Sequence, residues 1–273
     1  MKSLAVLITV FNRKETTLTC LRKLYAQTPV KNVLVEVFLT DDGSTDGTSD
    51  AIRAEFPKVH IIQGDGTLFW NRGMYKAWEE ASHTKDYDYY LWLNDDTHLY
   101  TTALEQLLAC SRRHDDEAII AGATVDSASQ SQPTYGGRKN GRLLPADGTE
   151  KEVYVFNGNA VLVPDHVFRK LGNLDSYYAH SKGDFDYAIR ARKANIKMVQ
   201  AAKPVGVCDV HPHMDRWCNP DVPFKQRWAM LKRPNGMPPK EVFHLKRQES
   251  LFKASVQYCL VYLRCLFPKL WIK

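Results

Sequence analysis

The stretch Tyr90-Leu91-Trp92-Leu93-Asn94-Asp95-Asp96-Thr97 is an apolar run that ends in two adjacent carboxylates. At the end of a buried strand such a pair needs a partner, because an unpaired charge is costly to desolvate. Two readings stand side by side. A hard divalent cation, Mg²⁺ or Mn²⁺, binds through one or two protein carboxylates and takes its other oxygens from water and phosphate. Aspartates also cap helices.

Other polar clusters recur along the chain. Thr40-Asp41-Asp42-Gly43-Ser44-Thr45-Asp46-Gly47-Thr48 follows a second apolar run, at the kind of strand end where open α/β sheets bind ligands. A turn leading into a helix explains its Ser, Thr and Gly but not two consecutive aspartates. Gly64-Asp65-Gly66 leads to Asn71-Arg72-Gly73; Arg72 suits phosphate, although a Gly-Asp-Gly turn is commonly only a turn. Asn157-Gly158-Asn159 interrupts a strand-like segment and is a candidate for ligand contact, assigned here to an acceptor. Asp184 and Asp186 open a helix, where acids suit the dipole and one facing a cleft is placed to act as a base. His211 lies in the two-histidine loop Cys208-Asp209-Val210-His211-Pro212-His213 and is a candidate ligand.

The elements that must position these groups follow from hydrophobic spacing. Residues 4–10 form a continuous β-favouring run, residues 14–27 place Thr17, Cys20, Leu21, Leu24 and Tyr25 at helical spacing, and residues 33–39 read as a second buried strand. That β-α-β opening implies a parallel sheet with a right-handed crossover. Strands follow at 59–62, 87–93 and 118–124, with helices between them. Residues 126–150 lack either period and read as an excursion with room for a hairpin. Short strands at 196–201 and 205–207 come after a helix at 165–171 and the helix opened by Asp184.

Residues 1–215 are thus expected as one α/β domain. Residues 216–241, with Pro220, Pro223, Pro234, Pro238 and Pro239, read as an irregular arm or lid, and residues 242–273 as a basic amphipathic helical tail. Phe252, Val256, Cys259, Leu260, Leu263, Leu266 and Phe267 give that tail a broad apolar face. A membrane-spanning helix needs ~20 apolar residues, and Arg264 breaks the run short of that. The tail either packs on the domain or a partner, or lies in a membrane interface anchored by basic residues and Trp271.

Composition bounds the class. Across 273 residues, 44% hydrophobic and 25% charged are ordinary values for a soluble globular protein. The net charge of +6 is concentrated late in the chain, which suggests an anionic surface or substrate. Six cysteines without a C-x-x-C pair signal neither zinc nor a disulfide framework, and a reducing, cytoplasmic setting is the simplest reading. The run after Lys2 resembles the start of a signal peptide but is short and lacks a cleavage site, so it is expected as the first strand.

Taken in order, residues 4–13, the Asp41-Asp42-Gly43-Ser44-Thr45-Asp46-Gly47 loop, Asn71-Arg72-Gly73, Asn94-Asp95-Asp96 and Gly183-Asp184-Phe185-Asp186 resemble the inverting family 2 glycosyltransferases with a GT-A fold. The resemblance spans residues 4–211. It implies a Rossmann-like, mixed but mainly parallel sheet flanked by helices, with the tail as a C-terminal helical extension. It implies nucleotide contacts from Thr9, Phe11, Asp41, Asp42, Asn71 and Asp95, and metal ligation by Asp96 and His211. Asp184 becomes the base, with Asp186 as the alternative. Two departures stand out: Asn94 where an acid often stands, and Gly183 in place of the first acid of the family's Glu-Asp pair.

The implied activity is transfer of a sugar from a nucleotide-diphosphate donor to a glycan or lipid-linked acceptor, with inversion and a Mg²⁺ or Mn²⁺ ion, and with no nucleic acid partner. The basic tail extends this to the cytosolic face of a membrane. The alternatives are a non-catalytic nucleotide-sugar binding module, a sugar nucleotidyltransferase, and a glycoside hydrolase, which needs two carboxylates but neither metal nor nucleotide.

Overall fold

The structure is a computed structural model and describes residues 1–210 and 214–271. Four parallel strands form one half of an eight-stranded sheet: β1 (Lys2–Val10), β2 (Val33–Asp41), β3 (His60–Gln63) and β4 (Tyr89–Leu93). The spatial order is Lys151–Glu152, Met198–Gln200, Ile119–Ala121, Ala160–Pro164, β4, β1, β2, β3. Ala160–Pro164 runs antiparallel to both of its neighbours, so the sheet is mixed.

The helices are α1 (Lys14–Tyr25), α2 (Thr48–Glu55), α3 (Phe69–Thr84), α4 (Ala103–Arg113), α5 (Asp165–Leu171), α6 (Gly183–Lys193), α7 (Phe224–Leu231), α8 (Pro239–Arg247) and α9 (Leu251–Leu266). Alternation along β1 divides the core. Leu4, Val6 and Ile8 share one layer with Leu18 and Leu21 of α1 and Leu104 and Leu107 of α4. Ala5 and Leu7 share the other with Met74, Ala77 and Trp78 of α3 and Tyr187 and Ala188 of α6. Both faces of the central strands are therefore dry, which explains why they read as continuous apolar runs.

Three sequence expectations change in detail. The strand expected at 118–124 splits: Ile119–Ala121 stays in the main sheet, while Thr124–Val125 joins a second sheet with His98–Leu99, Pro133–Tyr135 and Gly206–Val207. The excursion contains an antiparallel pair, Gly137–Lys139 with Arg142–Leu143, turning through Asn140 (φ 52°) and Gly141 (φ 77°). Two positive φ values at an Asn-Gly turn match the twist of a tight hairpin.

The Pro-rich arm is not irregular throughout. Pro223 stands directly before α7 and Pro239 opens α8, positions where a missing N–H leaves no intrahelical bond unmade. The tail is broken at residues 248–250, so α8 and α9 pack on each other and, with α7, enclose Trp217, Leu231, Val242, Val261 and Cys265. Arg227 is buried in this unit. Its guanidinium donates to the carbonyls of Cys265 (2.9 Å) and Leu266 (3.4 Å), which the end of α9 leaves unpaired, and to that of Val222 (2.6 Å) just before α7.

Arg227→Met keeps the length of the side chain and removes all three bonds. It is expected to lower unfolding stability by about 2–3 kcal/mol, the range for bonds from a charged donor. Urea denaturation checks this, and an unchanged midpoint would show that the clasp on α9 does not depend on Arg227.

Candidate functional site

The carboxyl end of β4 is held by a residue that no local motif marks. Arg13 precedes α1; its Nη1 forms an ion pair with Asp95 Oδ1 (3.1 Å) and its Nη2 donates to Asp96 Oδ2 (3.1 Å). Asp95 is only 5% exposed and also accepts from Thr17 Oγ1. Burial outweighs the pull of Arg13 and pushes the Asp95 carboxyl up to about 7. Asp96 is the more open acid; the Cys208 thiol lies 3.6 Å from its Oδ1 and is itself pushed up to about 12 by burial and by Asp96. Asn94 points the other way: its Oδ1 accepts from Trp70 Nε1 (2.7 Å) and its N–H donates to the Asn159 carbonyl (3.0 Å). An aspartate there could also accept from Trp70, but it would add a third carboxylate beside Asp95 and Asp96.

The paired aspartates at the end of β2 organise their own surroundings. Asp41 accepts from the Ser44 N–H (2.9 Å) and from the Ser49 hydroxyl. Asp42 accepts from the N–H groups of Gly66 (2.9 Å), Leu68 (3.0 Å) and Phe69 (2.9 Å), so it neutralises the start of α3 from a distant loop. Phe69 has φ 57°, a left-handed conformation that is strained for an aromatic residue and is held here by the Asp42 bonds. Both aspartates are buried, and their carboxylates face backbone of this loop and of α3. Thr9 is half-buried under Gly73, and Phe11 is exposed beyond the end of β1.

Asn71, expected at the nucleotide, faces elsewhere. It is fully buried, and its Nδ2 donates to the carbonyls of Asp175 (2.8 Å) and Tyr178 (2.8 Å), stitching α3 to the segment before α6. A side chain at residue 183 would collide with the Asn71 amide. Gly183 is therefore required by packing, which accounts for the absence of an acid there. Arg72 is likewise spent locally, donating to the Ser176 carbonyl (3.0 Å).

A cavity of ≈ 380 Å³ opens between these parts, lined by Trp70, Asn94, Asn157, Gly158, Asn159, His180, Lys182, Asp184, Phe185 and Met237. Asp184 accepts from the Gly158 N–H (3.1 Å) and the Phe185 N–H (2.8 Å). Despite these bonds, desolvation pushes it up to about 6. A Cβ on Gly158 would lie 2.6 Å from the Trp70 ring, so only glycine lets strand and indole meet. Lys182 enters α6 with φ 78°, a second strained residue on the cavity wall. Burial lowers its pKa, and it lowers that of His180, whose buried Nδ1 has no hydrogen-bond partner.

Asp186, the alternative base, does not reach the cavity. It is 1% exposed, pairs with Arg190 (2.8 Å), and accepts from Tyr178 Oη (3.2 Å) and from the Gln248 amide. Two residues along a helix put Asp184 and Asp186 on different faces. The structure thus gathers Asn157, Gly158, Asn159 and Asp184 in one cavity with Asn94, and sets Asn71 and Asp186 in the core. His211 lies outside the described residues. Arg13, His180 and Lys182 carried no signal in the sequence beyond their charge, because their partners come from remote segments.

A larger cleft of ≈ 530 Å³ lies at the opposite, amino end of β1 and β4 and includes Lys2, Asp88 and Asp116. Asp88 is engaged by Lys2 and Ser3 and Asp116 by Tyr89 and Ser111, and ligands of open α/β sheets bind at the other end. Among the described residues, the one His/Cys/Asp/Glu group with metal-ligand spacing is Cys110, His114 and Glu150. Arg113 and Lys197 already supply that group with positive charge. Asp96 fits a hard cation differently, as one accessible carboxylate to be completed by phosphate and water oxygens.

The family model described as Glycosyl transferase family 2 matches residues 5–172, which run from within β1 through α5 and stop short of Asp184. No curated protein matches the sequence. Among solved structures, the chain is similar to S. aureus TarS 1-349, with a TM-score of 0.58 at 15% identity over 76% of this chain and 60% of that one. The mannosyltransferase PcManGT from Pyrobaculum calidifontis, in complex with GDP-Man and Mn2+, gives 0.57 at 15% identity over 93% and 73%. GalNAc-T7 with UDP, GalNAc and Mn2+ gives 0.60 at 15% identity over 77% and 44%. The chain also spans 43% of a longer TarS structure. At these identities the likeness is one of fold.

Arg13→Gln strips the buried Asp95 of its cation. The expected loss at pH 8 is about 2 kcal/mol, less than the ~3–5 for a fully buried pair, because the Arg13 side chain is 40% exposed. In an Asp95→Asn background the same substitution should cost much less. Equal losses in the two backgrounds, measured by urea denaturation, would mean that Arg13 acts through something other than Asp95.

Proposed function

Because the chain belongs to glycosyl transferase family 2, we propose that it moves a sugar from a nucleotide-diphosphate donor to a glycan or lipid-linked acceptor, with inversion and with help from a divalent cation. The observation that carries this reading is the desolvated Asp184 carboxylate on a cavity at the carboxyl end of β4. Similar folds bound to UDP-GlcNAc, to GDP-Man with Mn2+ and to UDP with GalNAc and Mn2+ support a nucleotide-sugar donor.

In the proposed reaction the acceptor hydroxyl lies against Asp184, and Asn157, Gly158 and Asn159 border its site. Asp184 takes the hydroxyl proton as that oxygen attacks the anomeric carbon from the face opposite the leaving group. The bond from the anomeric carbon to the diphosphate breaks, and the nucleoside diphosphate leaves with its electron pair. A pKa of about 6 suits this role: the group is ionised at neutral pH and still basic enough to share the proton in the transition state. Asp96 and His211 would hold Mg²⁺ or Mn²⁺, which would neutralise charge on a departing diphosphate. Thr9, Phe11 and the Asp41-Asp42 loop form the nucleotide side of the site. Asp95, also expected at the nucleotide, is buried and paired with Arg13.

Asp184→Asn is expected to reduce transfer by about 10²–10⁴-fold, the usual contribution of a general base, with donor affinity largely kept. Product analysis that resolves released nucleoside diphosphate from pyrophosphate also separates this reading from nucleotidyl transfer. Near-normal transfer by the variant would remove Asp184 from the role.

The pH profile has a definite sign. Base catalysis needs the carboxylate, so kcat/KM should rise with pH through a limb centred near pH 6 and flatten above it. A profile that falls across that interval would contradict the assignment.

Asp96→Ala should weaken Mn²⁺-dependent donor binding; because it also removes one of the two carboxylates that Arg13 bridges, the unfolding midpoint should fall, and Asp96→Asn, which keeps an acceptor for Arg13, carries the same test. Calorimetric titration of donor with and without Mn²⁺ reads the difference, and identical titrations of variant and parent would exclude Asp96 as the ligand.

A further inference from the structure

α9 has two apolar sides. Ala254, Val261 and Cys265 face the C-terminal core and are buried. Opposite them, Phe252, Val256, Cys259, Leu263 and Leu266 recur at alternating four- and three-residue intervals and all are exposed. Leu251, Phe267, Leu270 and Trp271 widen this stripe at its ends. Among the described residues, eight of the seventeen exposed large hydrophobics fall within residues 251–271, with Phe252 at 77% and Leu270 at 76% exposure. Singly scattered apolar residues need no explanation, whereas a contiguous patch marks a contact surface.

Charge selects the kind of contact. Residues 251–273 contain no Asp or Glu, while Lys253, Arg264, Lys269 and Lys273 are spread along them. Lys253 leans towards Glu249 at 3.5 Å but stays 64% exposed, and Arg264 packs over Trp217 beside the stripe. A second copy docked on this face would set Lys253 and Arg264 against cations with no acid of α9 to pair them. No described helix is long and apolar enough to cross a membrane.

We propose that α9 and the turn Pro268–Trp271 lie in the headgroup region of an anionic lipid bilayer, with the Phe252 to Leu266 stripe entering the acyl boundary. The cations meet anionic headgroups, and Trp271 marks the polar edge of the buried face. This surface is separate from the cavity, so it stands whatever donor or acceptor the cavity takes.

Flotation of the full chain with vesicles of phosphatidylcholine alone, and of phosphatidylcholine mixed with phosphatidylglycerol, tests this. Binding should be at least about tenfold stronger to the anionic vesicles and should weaken as salt is raised. Phe252→Ser combined with Leu263→Ser should lose at least tenfold of that binding at an unchanged unfolding midpoint. Should that variant melt lower, Lys253→Glu combined with Lys269→Glu carries the same test without touching apolar contacts. Recovery of parent and variants at equal levels with anionic vesicles, or no binding by the parent, would overturn the proposal. So would sedimentation of a dimer that the serine variant dissociates while vesicles remain unbound, since a second copy would then cover the stripe.

Discussion

The two-pronged contact of Arg13 with Asp95 and Asp96 lets a strand that is dry on both faces end in two acids. Its consequences propagate along the chain. With β4 tied to the start of α1, the turn after Leu93 has one orientation, and Asn94 is left pointing at Trp70. The indole is thereby set against Gly158, and the N–H of Gly158 fixes Asp184. A charge pair at the base of the sheet end is thus joined, through Asn94, Trp70 and Gly158, to a carboxylate on a distant helix. Packing alone would not do this, because a single apolar contact is worth too little to hold a direction.

The walls of the cavity are also where the backbone is least relaxed. Phe69 and Lys182 both have positive φ, and each is the residue that turns the chain into a helix bordering the cavity. Such conformations persist only when their surroundings over-determine them. Asp42 does this for Phe69 through N–H bonds across the loop, and that use explains why a second aspartate follows Asp41 at the end of β2 where a simple turn needs one. The strained entrance to α6 brings Asp184 and Lys182 to the same rim, where the desolvation that raises one pKa lowers the other.

The parallel half of the fold was readable because its strands are buried on both faces and its helices carry a clear period. The positions of Asp95, Asp96 and Asp184 were readable for the same reason, being polar groups where an apolar element begins or ends. What stayed hidden depends on contacts between remote segments. Arg13 is 83 residues from Asp96, and nothing near either predicts the meeting. Composition and spacing do not separate Asp184 from Asp186, which only the resemblance ranks as base and alternative; the packing of α6 against Tyr178 and Gln248 sets Asp186 in the core. Asn71 has the composition of a ligand contact and the environment of a structural tie. The gap at Gly183 is the other half of that tie, since the Asn71 amide occupies the space a side chain would need.

The arm and tail, read from sequence as an irregular segment and a separate helix, are joined to the cavity through Met237. That side chain lines the cavity and also packs against the C-terminal cluster of Trp217, Leu231, Val242 and Val261. Methionine is flexible and tolerates irregular gaps, so it can follow small shifts on one side without losing contact on the other. Glu241 adds a polar tie from the same direction, accepting from the Ala179 N–H next to His180. Through Met237 the cavity lining therefore includes a residue packed on the unit that Arg227 clasps and to which α9 belongs.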